Sequence, residues 1–159
     1  MTSRVAKANL IRYAIQTWHP LLIIDEVSCN KGYADLFVLK PNMESIEIEV
    51  KMLLSDLIHN EMKKRKYEEE FWKYPGGGLH GEHITNFFYI YVPPNLRDKS
   101  LVYLQENIPF AGLLSANVLN HKRAKKLHNR KMTDAVFKQF QRIQSRKYAF
   151  TKANELDPL

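Results

Sequence analysis

Residues 33–51 constrain the chain more than any other stretch. They read Tyr-Ala-Asp-Leu-Phe-Val-Leu-Lys-Pro-Asn-Met-Glu-Ser-Ile-Glu-Ile-Glu-Val-Lys. Two runs rich in branched and aromatic residues, 33–39 and 46–50, flank a short connection whose turn chemistry lies in Pro41 and Asn42, so the stretch reads as a β-hairpin. Side chains alternate along a strand, which puts Ile46, Ile48 and Val50 on one face and Glu47, Glu49 and Lys51 on the other. On the first strand Asp35 is expected opposite these charges, on the same face. Two carboxylates and a lysine converging in this way suit a divalent cation with an ammonium beside it. The same pattern also describes a half-exposed antiparallel sheet with a solvated charged face.

The chain has 159 residues, enough for one domain with a single core, and we expect that domain to span residues 1–150, with 151–159 a flexible tail. No apolar run approaches the ~20 residues needed to cross a bilayer, and the N-terminal residues lack a signal-peptide pattern. The lone Cys29 excludes an internal disulfide and a Cys-rich zinc module, which fits a reducing cytoplasm. Net charge is unevenly placed. Residues 1–119 carry 13 Lys+Arg against 14 Asp+Glu, whereas residues 120–159 carry 11 against 3. The surplus at one end points to a polyanion, nucleic acid before membrane.

Residues 3–18 have near-helical apolar spacing at Val5, Ala8, Ile11, Ala14, Ile15 and Trp18, and His19-Pro20 ends the helix. Strands are expected at 21–27 and 33–39, the second followed by its hairpin partner at 46–50. A helix follows Lys51, with Leu54, Leu57, Ile58 and Met62 on its buried stripe. Asp56, Asn60, Lys63 and Tyr67 share another of its faces. Residues 75–81, Pro-Gly-Gly-Gly-Leu-His-Gly, lack the strand and the Gly-Lys-Ser/Thr ending of a phosphate-cradling loop, and His80 and His83 read as surface histidines. A strand at 87–92, a short helix at 98–107 and a strand at 111–116 complete an α/β pattern. Last comes a basic run at 121–131 and a basic amphipathic helix from about Thr133. Lys122, Arg123, Lys125, Lys126, Arg130, Lys131, Arg142 and Arg146 are the expected nucleic-acid contacts, holding phosphates without reading sequence.

Asp35 on one strand and Glu49-Val50-Lys51 on the next, within a helix–strand–strand–strand–helix order, resemble the PD-(D/E)XK nuclease superfamily, with MmcB-like and RecB-type domains nearest. Lys63-Xaa-Xaa-Xaa-Tyr67 resembles the Gln/Lys-Xaa-Xaa-Xaa-Tyr element of those domains. The resemblance implies a restriction-endonuclease-like αβββαβ core with a mixed central sheet flanked by helices. It also implies Mg²⁺ or Mn²⁺ on Asp35, Glu49 and the Val50 carbonyl, with Lys51, Lys63 and Tyr67 assisting hydrolysis of a phosphodiester, of DNA before RNA. The implied setting is repair, recombination or phage and plasmid DNA processing, and a homodimer is compatible with it. Many members place a Glu on the first helix, but here no acid precedes Asp25. That departure leaves open a nuclease-like module that binds nucleic acid or a protein without cleaving.

Overall fold

The structure is a computed structural model that describes residues 2–29, 32–60, 85–115 and 119–156. Its centre is a six-stranded mixed sheet whose strands lie side by side in chain order. These are β1 (Leu22–Cys29), β2 (Gly32–Leu39), β3 (Ser45–Val50), β4 (Phe87–Tyr91), β5 (Gly112–Ser115) and β6 (Leu119–Lys122). The first three strands form an antiparallel meander; β3, β4 and β5 run parallel, and β6 returns antiparallel to β5. Parallel neighbours need crossovers, and helix α2 (Arg97–Asn107) supplies the one between β4 and β5. The α/β class and mixed sheet therefore stand as the sequence implied.

One face of the sheet is covered by α1 (Ser3–Trp18), which begins where Thr2 caps Val5 N–H and ends at His19 in the left-handed conformation, before Pro20. Its buried line is Ala6, Leu10 and Ala14, one turn apart, packed on Leu36, Val38, Ile46 and Ile48. Val5 and Ile15, expected inside, are about half exposed. Two alanines in the buried line let the helix sit close to the sheet, so the smaller residues, not the more hydrophobic ones, choose the packed face.

The other face has two cores. Phe88, Ile90, Leu104, Ile108 and Leu113 pack beneath α2. Leu22, Ile24, Phe37 and Leu39 pack beneath α3 (Asp134–Leu156) through Val136 and Phe140. The Phe37 and Phe140 rings stack with centroids 4.6 Å apart. Helix α3 runs to Leu156, so residues 151–156, expected to be a flexible tail, are helical. Strand β6 was not anticipated; it forms an edge of the sheet beside β5, and the basic run starts inside it.

The helix expected after Lys51 opens at Leu54 and Ser55 and becomes a π-helical turn over Asp56–Asn60. Lys63, Tyr67, the glycine-rich stretch 75–81, His80 and His83 lie outside the described residues.

Candidate functional site at the end of strand β3

All six residues of β3 are buried. Its charged face is therefore not the solvated face of a half-exposed hairpin. Glu47, Glu49 and Lys51 are 4%, 3% and 6% exposed. Ionised groups stay at such depth only when paired and hydrogen-bonded. Lys51 Nζ donates to Glu49 Oε2 at 3.1 Å, and Thr85 Oγ1 donates to Glu47 Oε2 at 3.5 Å. Lys51 N–H donates to the Tyr91 carbonyl, so the lysine is fixed to β4 as the strand ends. The pair sits at the carboxyl end of the parallel part of the sheet, where open α/β sheets place their ligands.

Alternate residues of β2 keep one phase as far as Leu36, then change face. Leu36 and Val38 pack under α1, whereas Ala34 packs with Phe37 and Leu39 under α3. The break coincides with Glu26 on β1, which has φ 45° and stands opposite Asp35 between the register pairs Asp25–Leu36 and Val27–Ala34. A glutamate in the left-handed region is strained. The β2–β3 ladder stops at Leu36–Ile48, one residue short of Asp35 and Glu49.

Asp35 takes over where the ladder stops. Its Oδ2 accepts from Val50 N–H at 2.8 Å, which places the carboxylate in the split between the strands. Its Oδ1 lies 3.8 Å from Lys7 Nζ of α1, and that ammonium is 2.6 Å from Glu26 Oε1. Lys7 also holds the Glu26 carboxyl below its usual range through that hydrogen bond and its charge. Strand phase alone places Asp35, Glu49 and Lys51 on one shared face. In the structure Asp35 lies in the split against Val50 N–H, with Lys7 of α1 beside it, and the Glu49–Lys51 pair lies on the side bearing α2 and α3. Val50, the expected carbonyl ligand, is the residue between them.

The donor chemistry suits a hard cation, since Mg²⁺ is commonly bound by one or two carboxylates and keeps several waters. Among the described residues no group of three or more His, Cys, Asp or Glu is placed to hold a metal ion. Asp25 lies instead 3.8 Å from Lys147 of α3. Glu26 and Lys7 are the neighbours that sequence reading missed; only the register of β1 against β2 brings them to Asp35.

The basic run is not a loose tail. Lys122 Nζ donates to the carbonyls of Pro109, at 2.7 Å, and Ala111, and desolvation pushes its pKa down. Lys122 thus spends two of its three ammonium protons on backbone carbonyls of the fold. Lys126 pairs with the buried carboxylate of Glu44, which also accepts from Lys40 at 2.9 Å and Asn42 at 3.0 Å. Buried Asn86 donates to the carbonyls of His128 and Arg130, and Leu127 N–H donates to the Asn86 carbonyl. Arg123, Lys125, Arg130 and Lys131 remain exposed along this pinned segment, as do Arg142 and Arg146 on α3.

Comparison with solved structures finds the same fold in a protein of unknown function from Silicibacter pomeroyi. The match has a TM-score of 0.61 and 19% identity, covering 95% of this chain and 89% of that one. No family model matches the chain, and no curated protein matches it. Among the described residues no helix is long and apolar enough to cross a membrane.

Proposed function

We propose that the chain is a metal-dependent phosphodiesterase of the PD-(D/E)XK type, acting on nucleic acid, DNA before RNA. The observation that carries this reading is the buried Glu49–Lys51 pair at the carboxyl end of β3, with Asp35 tethered to the intervening residue. A buried ion pair contributes little net stability, and a left-handed glutamate and a broken ladder beside it add strain. Costly features gathered at one place are what a functional site looks like.

In this reading Asp35, Glu49 and the Val50 carbonyl would hold Mg²⁺ or Mn²⁺, which when bound would supply Lewis acidity and a more acidic water. Lys51 places a positive charge where the transferring phosphoryl gains negative charge, in a site dry enough for that charge to count. Burial of Glu49 keeps its carboxylate aimed, with Lys51 as its counter-charge. Asp35 is aimed by Val50 N–H. The test is Mg²⁺-dependent cleavage of single-stranded, duplex and branched DNA and of RNA, by the native chain and by Asp35→Ala and Glu49→Gln. Cleavage by the native chain, lost in both variants while binding persists, supports the reading; cleavage retained by Asp35→Ala refutes it.

A second reading is a nuclease-like module that binds without cutting. Lys7 favours it, because its ammonium stands 3.8 Å from Asp35 on the helix where many PD-(D/E)XK nucleases carry a Glu. Binding without cleavage in any divalent cation selects it.

A further inference from the structure

Helix α3 has two sides of different character. Toward the sheet it presents Val136 and Phe140, with Phe137 and Ile143 half-buried. On that side Gln144 donates to the Ile23 carbonyl at 2.9 Å, and Lys147 donates to the Glu26 carbonyl at 2.9 Å. These two side chains occupy carbonyls of the edge strand β1, which an added strand would otherwise use. Lys147 is therefore part of the fold.

The outer side is lined by Lys138, Gln141, Arg142, Ser145 and Arg146 around a shallow cavity of about 520 Å³. Lys138, Arg142 and Arg146 recur every four residues, so their positions step along the helix by about 6 Å. Like charges at this spacing repel by a few tenths of a kcal/mol per pair. Among the described residues no acid pairs with any of the three; the helix's own acids are Asp134 and Glu155, and Glu155 is held by Lys152 at 2.6 Å. Among the described residues, then, the helix keeps a line of three cations with no acid paired to it.

We infer that this outer stripe of α3 is the phosphate-binding ridge of the protein, laid along three successive phosphates of a nucleic-acid strand. The inference rests on the nucleic-acid reading and moves the contact surface away from the 121–131 run, where Lys122 and Lys126 are committed to internal partners. The chemistry selects the partner. The cavity lining is polar throughout, and Phe150, the next residue on the same line and 70% exposed, offers a ring on which a base can stack beside the phosphates. Evenly spaced cations match a polymer with regular charges better than the irregular acids of a protein. Arg142 and Arg146 can each make paired hydrogen bonds to a phosphate, and the Gln141 amide and Ser145 hydroxyl are ordinary backbone contacts. Contacts of this kind set affinity and register without reading bases.

The test compares the full-length native chain with Lys138→Gln/Arg142→Gln/Arg146→Gln and with Lys122→Gln/Lys126→Gln. Binding to one 30-nucleotide sequence as single-stranded DNA, duplex DNA and single-stranded RNA, and to polyglutamate, is followed by anisotropy across a salt series, with melting curves to check folding. The triple variant should melt like the native chain and bind at least tenfold more weakly. Its slope of log affinity against log salt should be shallower by ~2.7 on duplex and ~2 on single strand, at about 0.9 and 0.7 per lost contact. The double variant should keep the native slope and melt lower. An unchanged slope in the triple variant, with native binding intact, overturns the ridge and leaves the nucleic-acid reading standing. Failure of the native chain to bind DNA or RNA at low salt overturns both. Binding of polyglutamate in preference to nucleic acid overturns the ridge in favour of an acidic protein.

Discussion

Glu49 and Lys51 offer the sharpest separation of stability from function. Each is almost fully buried, and their charged atoms are 3.1 Å apart. Replacing Glu49 alone with Met leaves the Lys51 ammonium at depth without the Glu49 carboxylate. Breaking a buried pair in this way costs about 3–5 kcal/mol. A domain of this size loses about 2–4 °C of Tm per kcal/mol, so Glu49→Met should melt roughly 6–20 °C below the native chain. Lys51→Met strands the carboxylate instead and should fall in the same range. Replacing both with Met removes two desolvation costs together, and such exchanges are often neutral or stabilising by up to about 4 kcal/mol. Both side chains interact with other groups too, which places the double variant near the neutral end. The assay is thermal melting of the three variants in a double-mutant cycle, with divalent-cation-dependent cleavage measured on each.

The expected pattern is two large losses, a double variant close to native in Tm, and no cleavage from any of the three. A double variant that loses the sum of the single losses shows no coupling between the charges. That result would refute the claim that the pair is held at a cost to stability, and with it the physical case for a functional site at β3.

Other expectations concern the scaffold that positions the site. The Glu44 carboxyl stands at about 2 against a usual 4.5: burial raises it, but hydrogen bonds from Lys126, Lys40 and Asn42 outweigh burial. Its pKa is depressed on folding, so its stabilisation is whole above about pH 4.5 and is lost as pH falls toward 2, a loss of about 2–3 kcal/mol; Glu44→Gln should flatten acid unfolding in that window. At Gly112 a methyl group would meet the Tyr89 ring and sit 2.8 Å from the Ala124 backbone nitrogen, so Gly112→Ala should lower stability by at least about 2 kcal/mol in denaturant titrations. Lys122→Met should also lower stability, because the Pro109 and Ala111 carbonyls lose their donor; the cost is about 1–3 kcal/mol, and an unchanged denaturation midpoint would show that another donor replaces it.

The strands and helices at the front of the chain were legible because their signals are local. Alternation wrote β2 and β3, Pro20 stopped α1, and the Pro41-Asn42 turn joined the hairpin. The order of elements then limited the sheet to few arrangements. What the sequence hid depends on partners distant in the chain. Nothing within β2 announces that its phase breaks at Asp35. That follows from Glu26, whose left-handed backbone belongs to the neighbouring strand. Period-two reasoning therefore put Asp35, Glu49 and Lys51 on one face and misassigned the side from which Asp35 approaches.

The basic run teaches the same lesson from the opposite direction. Charge counting treats Lys122, Arg123, Lys125 and Lys126 as equivalent, but burial does not. Asn86 lies more than forty residues before the segment it clamps, and Glu44 reaches Lys126 from the hairpin turn. These two buried polar groups turn a stretch without helix or strand over residues 123–133 into a fixed path across the sheet. That path ends where Met132 N–H donates to the Met43 carbonyl and α3 begins. The clamp thereby sets where α3 starts, and the helix's outward cations follow from that start. A change at Asn86 should for this reason weaken nucleic-acid binding although Asn86 is fully buried. Asn86→Ala removes donors to two carbonyls and should release residues 127–131 to rapid hydrogen exchange. Affinity should fall while the slope of log affinity against log salt stays near native, because every cation is still present. A slope that falls as far as in the α3 triple variant would show instead that residues 127–131 themselves carry the phosphate contacts.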